Sequence, residues 1–93
     1  MFYQRQLIVV TIMKLLKFSA DWCGPCEQQH KMFEDFDAVP VEEIDVDKNQ
    51  QRANEYSVRS LPTMVLLNDD TVVKQWPGVT QPDEILSAIE QNS

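Results

Sequence analysis

Short apolar segments alternate with polar segments of helical character along residues 14–91. The order is strand, helix, strand, helix, then two strands in succession and a last helix. Only Asp69 and Asp70 separate the last two strands, which predicts a tight hairpin. The first two strands are joined through a helix, so a parallel pair beside an antiparallel hairpin is expected. The predicted strands are 14–20, 39–46, 63–68 and 71–76, and the predicted helices are 24–36, 48–56 and 82–91.

Length and charge restrict the class of protein. A chain of 93 residues that is 43% hydrophobic and 25% charged is expected to form one domain, residues 1–93. Its net charge of -7 disfavours nucleic acid as a partner, because the phosphate backbone is also anionic. No apolar run reaches the roughly 20 residues that span a bilayer, and neither amphipathic helix has a basic face, so no membrane association is predicted.

Residues 1–12 are rich in β-branched side chains and have three interpretations. They extend the first strand, form an edge that pairs with a second molecule, or precede a natural start at Met13. We expect the chain to be a monomer, and a dimer that forms through residues 1–12 is the alternative. A secretory signal is disfavoured because Lys14 and Lys17 interrupt the apolar run and no cleavage site follows, so a cytoplasmic location is expected.

The chain has two cysteines, Cys23 and Cys26, at the junction of the first strand and the first helix. In a cytoplasmic protein such a close pair is more often redox-active or metal-binding than a structural disulfide. His30 extends the pair to a C-x2-C-x3-H arrangement that could supply three zinc ligands. That alternative is disfavoured, since no second cysteine or histidine cluster exists and His30 is expected to be an exposed helical residue.

Three motifs occur in order: WCGPC at 22–26, RSLPT at 59–63 and PGVTQPDEI at 77–85. Together they resemble the thioredoxin family over about residues 14–92. The resemblance implies an α/β thioredoxin fold in its minimal, glutaredoxin-like form, like that of some compact phage thioredoxins. Four strands, in the order 41–46, 14–19, 63–68, 71–76, would form a mixed sheet flanked by three helices. It also implies protein disulfides as substrates, a thioredoxin reductase as electron donor, and no dissociable cofactor.

Residue by residue, the resemblance implies a dithiol active site. Cys23 would be the nucleophile, because a helix start favours a thiolate, and the more buried Cys26 would resolve the mixed disulfide. Trp22 would present a flat apolar surface, with Gly24 and Pro25 completing the active-site loop. On the other side of a substrate groove, Pro62 would be cis and bring the Leu61 backbone near the cysteines, and Gly78 would leave space for a partner backbone. The residues expected to bind substrate are therefore Trp22, Leu61, Pro62 and Gly78.

Two positions depart from the family pattern. Where thioredoxins usually have a buried aspartate and a facing lysine, this chain has Lys17 and Glu43. Alternation along the first strand predicts that Lys17 points under the active-site helix. A neutral Lys17 could move the proton of Cys26, whereas a charged one would stabilise its thiolate and make the protein more oxidising. The second departure is Lys31, which replaces a kinking proline and predicts a straighter or shorter helix.

Three other functions compete with a protein disulfide reductase. An oxidase or isomerase is favoured if Lys17 is charged. A non-catalytic subunit would use the surface around Trp22, Leu61 and Gly78 to bind a partner without electron transfer. Glutaredoxin activity is less favoured, because the active-site loop is WCGPC and no glutathione-binding pattern accompanies it.

Overall fold

A computed structural model describes residues 12–92 of the protein. The predicted order of elements is confirmed: four strands and three helices occur in the order β-α-β-α-β-β-α. The strands are β1 (Met13–Ser19), β2 (Val41–Asp45), β3 (Thr63–Asn68) and β4 (Thr71–Pro77), and the helices are α1 (Gly24–Met32), α2 (Gln50–Glu55) and α3 (Pro82–Gln91). The interpretations offered for residues 1–11 lie outside the described residues.

The strands form one mixed sheet in the predicted order β2-β1-β3-β4. β1 pairs parallel to β2 and antiparallel to β3, and β3 pairs antiparallel to β4. The register places Lys17 beside Glu43 on β2 and beside Met64 on β3. Because the two central strands are covered on both faces, β3 is buried along nearly its whole length.

Alternation along the strands divides the core between the two faces of the sheet. Leu15 contributes to the face covered by α3 and by the end of α1, and Leu16 to the face covered by α2. The first core comprises Met13, Leu15, Phe33, Val39, Met64, Leu66, Trp76, Ile85, Ala88 and Ile89. The second comprises Leu16, Phe18, Ile44, Ala53, Val65 and Leu67. Lys17 has the same parity as Leu15 and therefore points toward the α1 and α3 side, as predicted.

The first helix is shorter than the predicted 24–36. It ends at Met32, after which Phe33 and Phe36 make successive i→i+3 turn hydrogen bonds. Acidic residues fill this region, and negative charge at a helix C-terminus is unfavourable for the helix dipole. The rings of Phe33 and Phe36 then pack together with centroids 5.0 Å apart, so Phe33 is buried and Phe36 half-buried without the helix continuing.

The buried stripe of α3 consists of Ile85, Ala88 and Ile89, whereas Leu86 is 41% exposed. Residues 85, 88 and 89 lie at the i, i+3 and i+4 positions of one helix face, and Leu86 begins the next face. Among residues 12–92, no helix is long and apolar enough to cross a membrane.

Candidate active site

Cys23 and Cys26 lie at the N-terminus of α1 and are joined by a disulfide bond, with their Cα atoms 5.3 Å apart. Cys23 is the N-cap residue, and its Sγ accepts a hydrogen bond from the backbone N–H of Cys26 over 3.2 Å. Pro25 stands in the first turn, where a helix needs no intrahelical donor. Cys26 is 2% exposed and Cys23 is 8% exposed, so Cys26 is the more deeply buried sulfur, as predicted.

Trp22 precedes the disulfide and is 69% exposed. Its indole Nε1 donates a hydrogen bond to Asp47 Oδ2 over 2.8 Å. Asp47 follows β2 and is held in turn by its own backbone N–H, which donates to Asp45 Oδ1. Sequence reasoning missed Asp47, although the carboxyl ends of two parallel strands meet at one edge of a sheet and place the loop after β2 next to the loop after β1. The Trp22 ring is thus both exposed and fixed in orientation.

A cavity of about 450 Å³ opens beside Cys23. It brings together five residues predicted from the motifs, namely Trp22, Cys23, Gly24, Pro25 and Leu61. A Cβ built on Gly24 would have nothing within 4 Å, so this side of the loop is open. The rest of the lining was not anticipated from the sequence and consists of Val46, Ala53, Val58, Arg59 and Ser60.

Pro62 and Gly78 are joined by a backbone hydrogen bond, since Gly78 N donates to Pro62 O over 2.8 Å. The Leu61–Pro62 peptide bond is cis, as predicted. Gly78 has φ of +82°, in the left-handed region that favours glycine, and a Cβ there would meet no atom within 4 Å. Gly78 does not line the cavity beside Cys23, but its bond to Pro62 ties the β4 end to the loop that carries Leu61.

Lys17 is buried below α1, with 5% of its surface exposed. Its Nζ lies 3.0 Å from His30 Nδ1 and 5.7 Å from the centre of the Phe33 ring. The same His30 nitrogen also lies 3.0 Å from Glu43 Oε1, so His30 contacts both side chains through one ring atom. Burial lowers the pKa of Lys17, and the nearby Glu43 opposes this only in part. Desolvation is therefore the larger of the two opposing effects on the pKa of Lys17.

The prediction that His30 is merely an exposed helical residue is wrong. It is half-buried, it contacts Lys17 and Glu43, and it lines a second cavity of about 220 Å³ together with Cys23 and Cys26. The sequence offered one indication that His30 lies near the cysteines, its i, i+4 spacing from Cys26, because such residues lie on one helix face. Within residues 12–92, no group of three histidine, cysteine or acidic side chains is arranged to hold a metal ion.

The sequence and the structure both match known proteins. The thioredoxin family model matches residues 3–91. The chain is 38% identical to a thioredoxin of Bacillus subtilis over 80 residues, which cover 81% of this chain and 76% of that protein. It is 30% identical to a thioredoxin of Chlamydia caviae over 89 residues, or 91% of this chain and 87% of that one.

A solved structure of a mutant thioredoxin from Halobacterium salinarum NRC-1 superposes with a TM-score of 0.79 and 33% identity, covering 99% of this chain and 84% of that one. With the paired cysteines at a helix N-terminus and the four-stranded mixed sheet, these matches establish the family and its reaction. The chain belongs to the thioredoxin family and is a thiol–disulfide oxidoreductase that acts on protein disulfides.

Proposed function

We propose that the protein reduces disulfides of other proteins, with Cys23 as the nucleophile and Cys26 as the resolving cysteine. The observation that carries the assignment is the position of Cys23 Sγ, which caps α1, accepts the Cys26 N–H and adjoins the larger cavity. Both the N–H groups and the helix dipole stabilise a thiolate at that position. Cys26 is covered more completely and makes a poorer first nucleophile, but it lies within reach of the Cys23 sulfur.

The exchange proceeds in two steps that balance in atoms and electrons. The Cys23 thiolate attacks one sulfur of the substrate disulfide, forms a mixed disulfide and releases the other sulfur as a thiolate, which takes up a proton. Cys26 then loses its proton and attacks Cys23 Sγ. This second attack closes the Cys23–Cys26 bond and releases the second substrate thiolate, so two electrons pass from the dithiol to the substrate.

The substrate would lie as an extended segment across Trp22, Leu61, Pro62 and Gly78. The exposed Trp22 ring, fixed by Asp47, offers an apolar surface, and the open space at Gly78 admits a passing backbone. Extended peptides bind such edges chiefly through main-chain hydrogen bonds, for which the backbone of Leu61 is the candidate. Gly24 and Pro25 keep the loop around Cys23 small, so that a protein substrate can reach the sulfur.

Lys17 and Glu43 would act on Cys26 through the arrangement around His30. The imidazole shares the smaller cavity with both cysteines, and its Nδ1 contacts both Lys17 and Glu43. A charged Lys17 stabilises the Cys26 thiolate and therefore the reduced form. This is the specific observation that favours a second candidate function, a protein disulfide oxidase or isomerase.

The source of electrons is proposed from the family alone. A reductase of the thioredoxin-reductase type would return the Cys23–Cys26 disulfide to the dithiol, and the protein itself would need no dissociable cofactor. A reducing compartment is required for this role, so the cytoplasmic location expected from the sequence is part of the same proposal.

The assignment of the two cysteines is tested by trapping. Cys26→Ser, incubated reduced with a disulfide-containing protein such as insulin, is expected to accumulate a mixed disulfide through Cys23 that mass spectrometry detects. Cys23→Ser is the matched control and should form no such adduct at comparable rate, because Cys26 is buried. Accumulation of the adduct in Cys23→Ser instead would reverse the two roles, and its absence in both variants would refute the proposed exchange.

A further inference from the structure

Gln29 is a polar side chain on the buried face of α1 for which the proposed disulfide chemistry has no use. It is 1% exposed and lies one helical turn after Cys26. A buried amide is costly unless its oxygen and its nitrogen both have partners. Gln29 therefore needs specific acceptors and donors, and their identity indicates what the residue does.

Both partners of the Gln29 amide belong to the backbone of one residue. Nε2 donates to Thr80 O over 2.8 Å, and Oε1 accepts from Thr80 N over 2.8 Å. Thr80 is itself 3% exposed. The side-chain amide of Gln29 thus bonds both the N–H and the C=O of a loop residue 51 positions later in the chain, as a neighbouring β-strand would.

The clamped loop is the one that carries Gly78. Thr80 Oγ1 donates to Gly78 O over 3.1 Å, and Gly78 N donates to Pro62 O over 2.8 Å. Residues 78–80 are thereby fixed on one side by Gln29 and on the other by Pro62, whereas Val79 between them stays 40% exposed. A continuous set of hydrogen bonds therefore links α1 to the side of the proposed substrate groove that Pro62 and Gly78 form.

We propose that Gln29 is a positioning residue that holds residues 78–80 in the conformation that binds an extended segment of a protein substrate. The inference rests on the groove assigned above and adds a determinant of affinity to it. A loop that is fixed before binding loses less conformational entropy when the substrate docks. A small disulfide needs only access to Cys23, so Gln29 acts on the binding of protein substrates and leaves the exchange step unchanged.

The test compares Gln29→Leu, which keeps the approximate size of the side chain, with Gln28→Leu on the exposed face of the same helix turn. Each protein is reduced, freed of reductant and mixed with insulin or with 5,5′-dithiobis(2-nitrobenzoate), and the oxidation rate is followed against substrate concentration. For Gln29→Leu we expect the half-saturating insulin concentration to rise about tenfold, with an unchanged limiting rate and an unchanged rate with the small disulfide. Gln28→Leu should match the wild type on both.

Equal slowing on both substrates would overturn the proposal, because Gln29 would then act on the cysteines or on the fold. Unchanged kinetics of Gln29→Leu with insulin would overturn it as well. Hydrogen exchange of the Thr80 amide in the wild-type protein supplies a second test if Gln29→Leu does not fold. The proposal requires that amide to be strongly protected, and exchange at the rate of an unstructured peptide would refute the clamp. Failure of the wild type to reduce either substrate would instead refute the proposed function, while the exchange result would still decide whether residues 78–80 are held.

Discussion

Replacing Lys17 by methionine is expected to stabilise the protein at neutral pH. Lys17 is almost entirely buried, and its partners compensate incompletely, because the Glu43 side chain is 62% exposed and therefore screened by solvent. Methionine has nearly the same length and volume, so the substitution removes a charge and leaves little cavity. Apolar replacement of buried charged groups is often stabilising by about 1–4 kcal/mol. With the partial compensation from Glu43 and His30, we expect about 1 kcal/mol, which raises Tm by about 4–8 °C in a domain of this size.

The pH dependence of that gain has a definite sign. Burial lowers the folded-state pKa of Lys17 below its ordinary value of 10.5. Between the two pKa values the unfolded chain binds more protons than the folded protein, so the wild-type free energy of unfolding increases with pH in that interval. The methionine that replaces Lys17 does not titrate. The advantage of Lys17→Met should therefore be constant below the folded-state pKa and shrink as the pH rises toward 10.5.

Urea unfolding of the oxidised proteins, followed by tryptophan fluorescence from about pH 7 to about pH 10.5, measures both effects. Lys48→Met serves as the control, because Lys48 is exposed in the loop before α2 and its replacement should leave the stability within about 0.5 kcal/mol. A Lys17→Met variant that is less stable than the wild type at every pH would refute the argument. A stability gain that stays the same over the whole pH range would also do so, since the charge of Lys17 would then not be its cause.

Two further predictions concern charges near the sheet. If the charge of Lys17 stabilises the Cys26 thiolate, Lys17→Met should shift the redox potential of the Cys23–Cys26 couple in the negative direction by up to about 30 mV in glutathione buffers. An unchanged potential would mean that Lys17 has no redox role. Hydrogen bonds from Arg52, and then from Lys14, lower the pKa of Glu42 to about 2. Its contribution to stability is thus complete above about pH 4.5 and is lost as the pH falls to about 2. In urea unfolding, Glu42→Gln should therefore cost about 0.5–1 kcal/mol at about pH 7 and nothing at about pH 2. An equal loss at both pH values would exclude the ion pairs as the source of this stability.

The positions of the strands and the face of Lys17 were predictable from the sequence. The strands follow from short apolar runs between polar segments, and the face of Lys17 from the period of two along β1. β3 and α3 have the bounds that the pattern indicated. The end of α1 was not predictable from periodicity, since Phe33 and Phe36 satisfy a helical pattern and yet pack against the core from a turn. In that segment acidic residues at the helix end outweigh the apolar spacing.

The contacts of His30 and Gln29 were unpredictable for a different reason. Each depends on a residue brought close by the tertiary fold, Glu43 from the parallel neighbour of β1 and Thr80 from the loop after β4. A polar residue on a helix gives no sign of such a partner until the register of the sheet and the position of the loop are known. The cysteine motif, in contrast, was predictable from the sequence, because its chemistry is confined to four consecutive residues.

α1 brings three separate functions to one end of the sheet. Its N-terminus holds the Cys23–Cys26 pair, its buried face carries Gln29 to the loop at Thr80, and His30 beside it meets Lys17 and Glu43. All of these helix residues fall within the first two turns, so the helix has made its contacts with the site before Met32, where it ends. Phe33 and Phe36 contribute to the core instead, where their rings pack together. The short helix is therefore long enough to carry the cysteine pair, the hydrogen bonds of Gln29 to Thr80 and the contacts of His30 with Lys17 and Glu43.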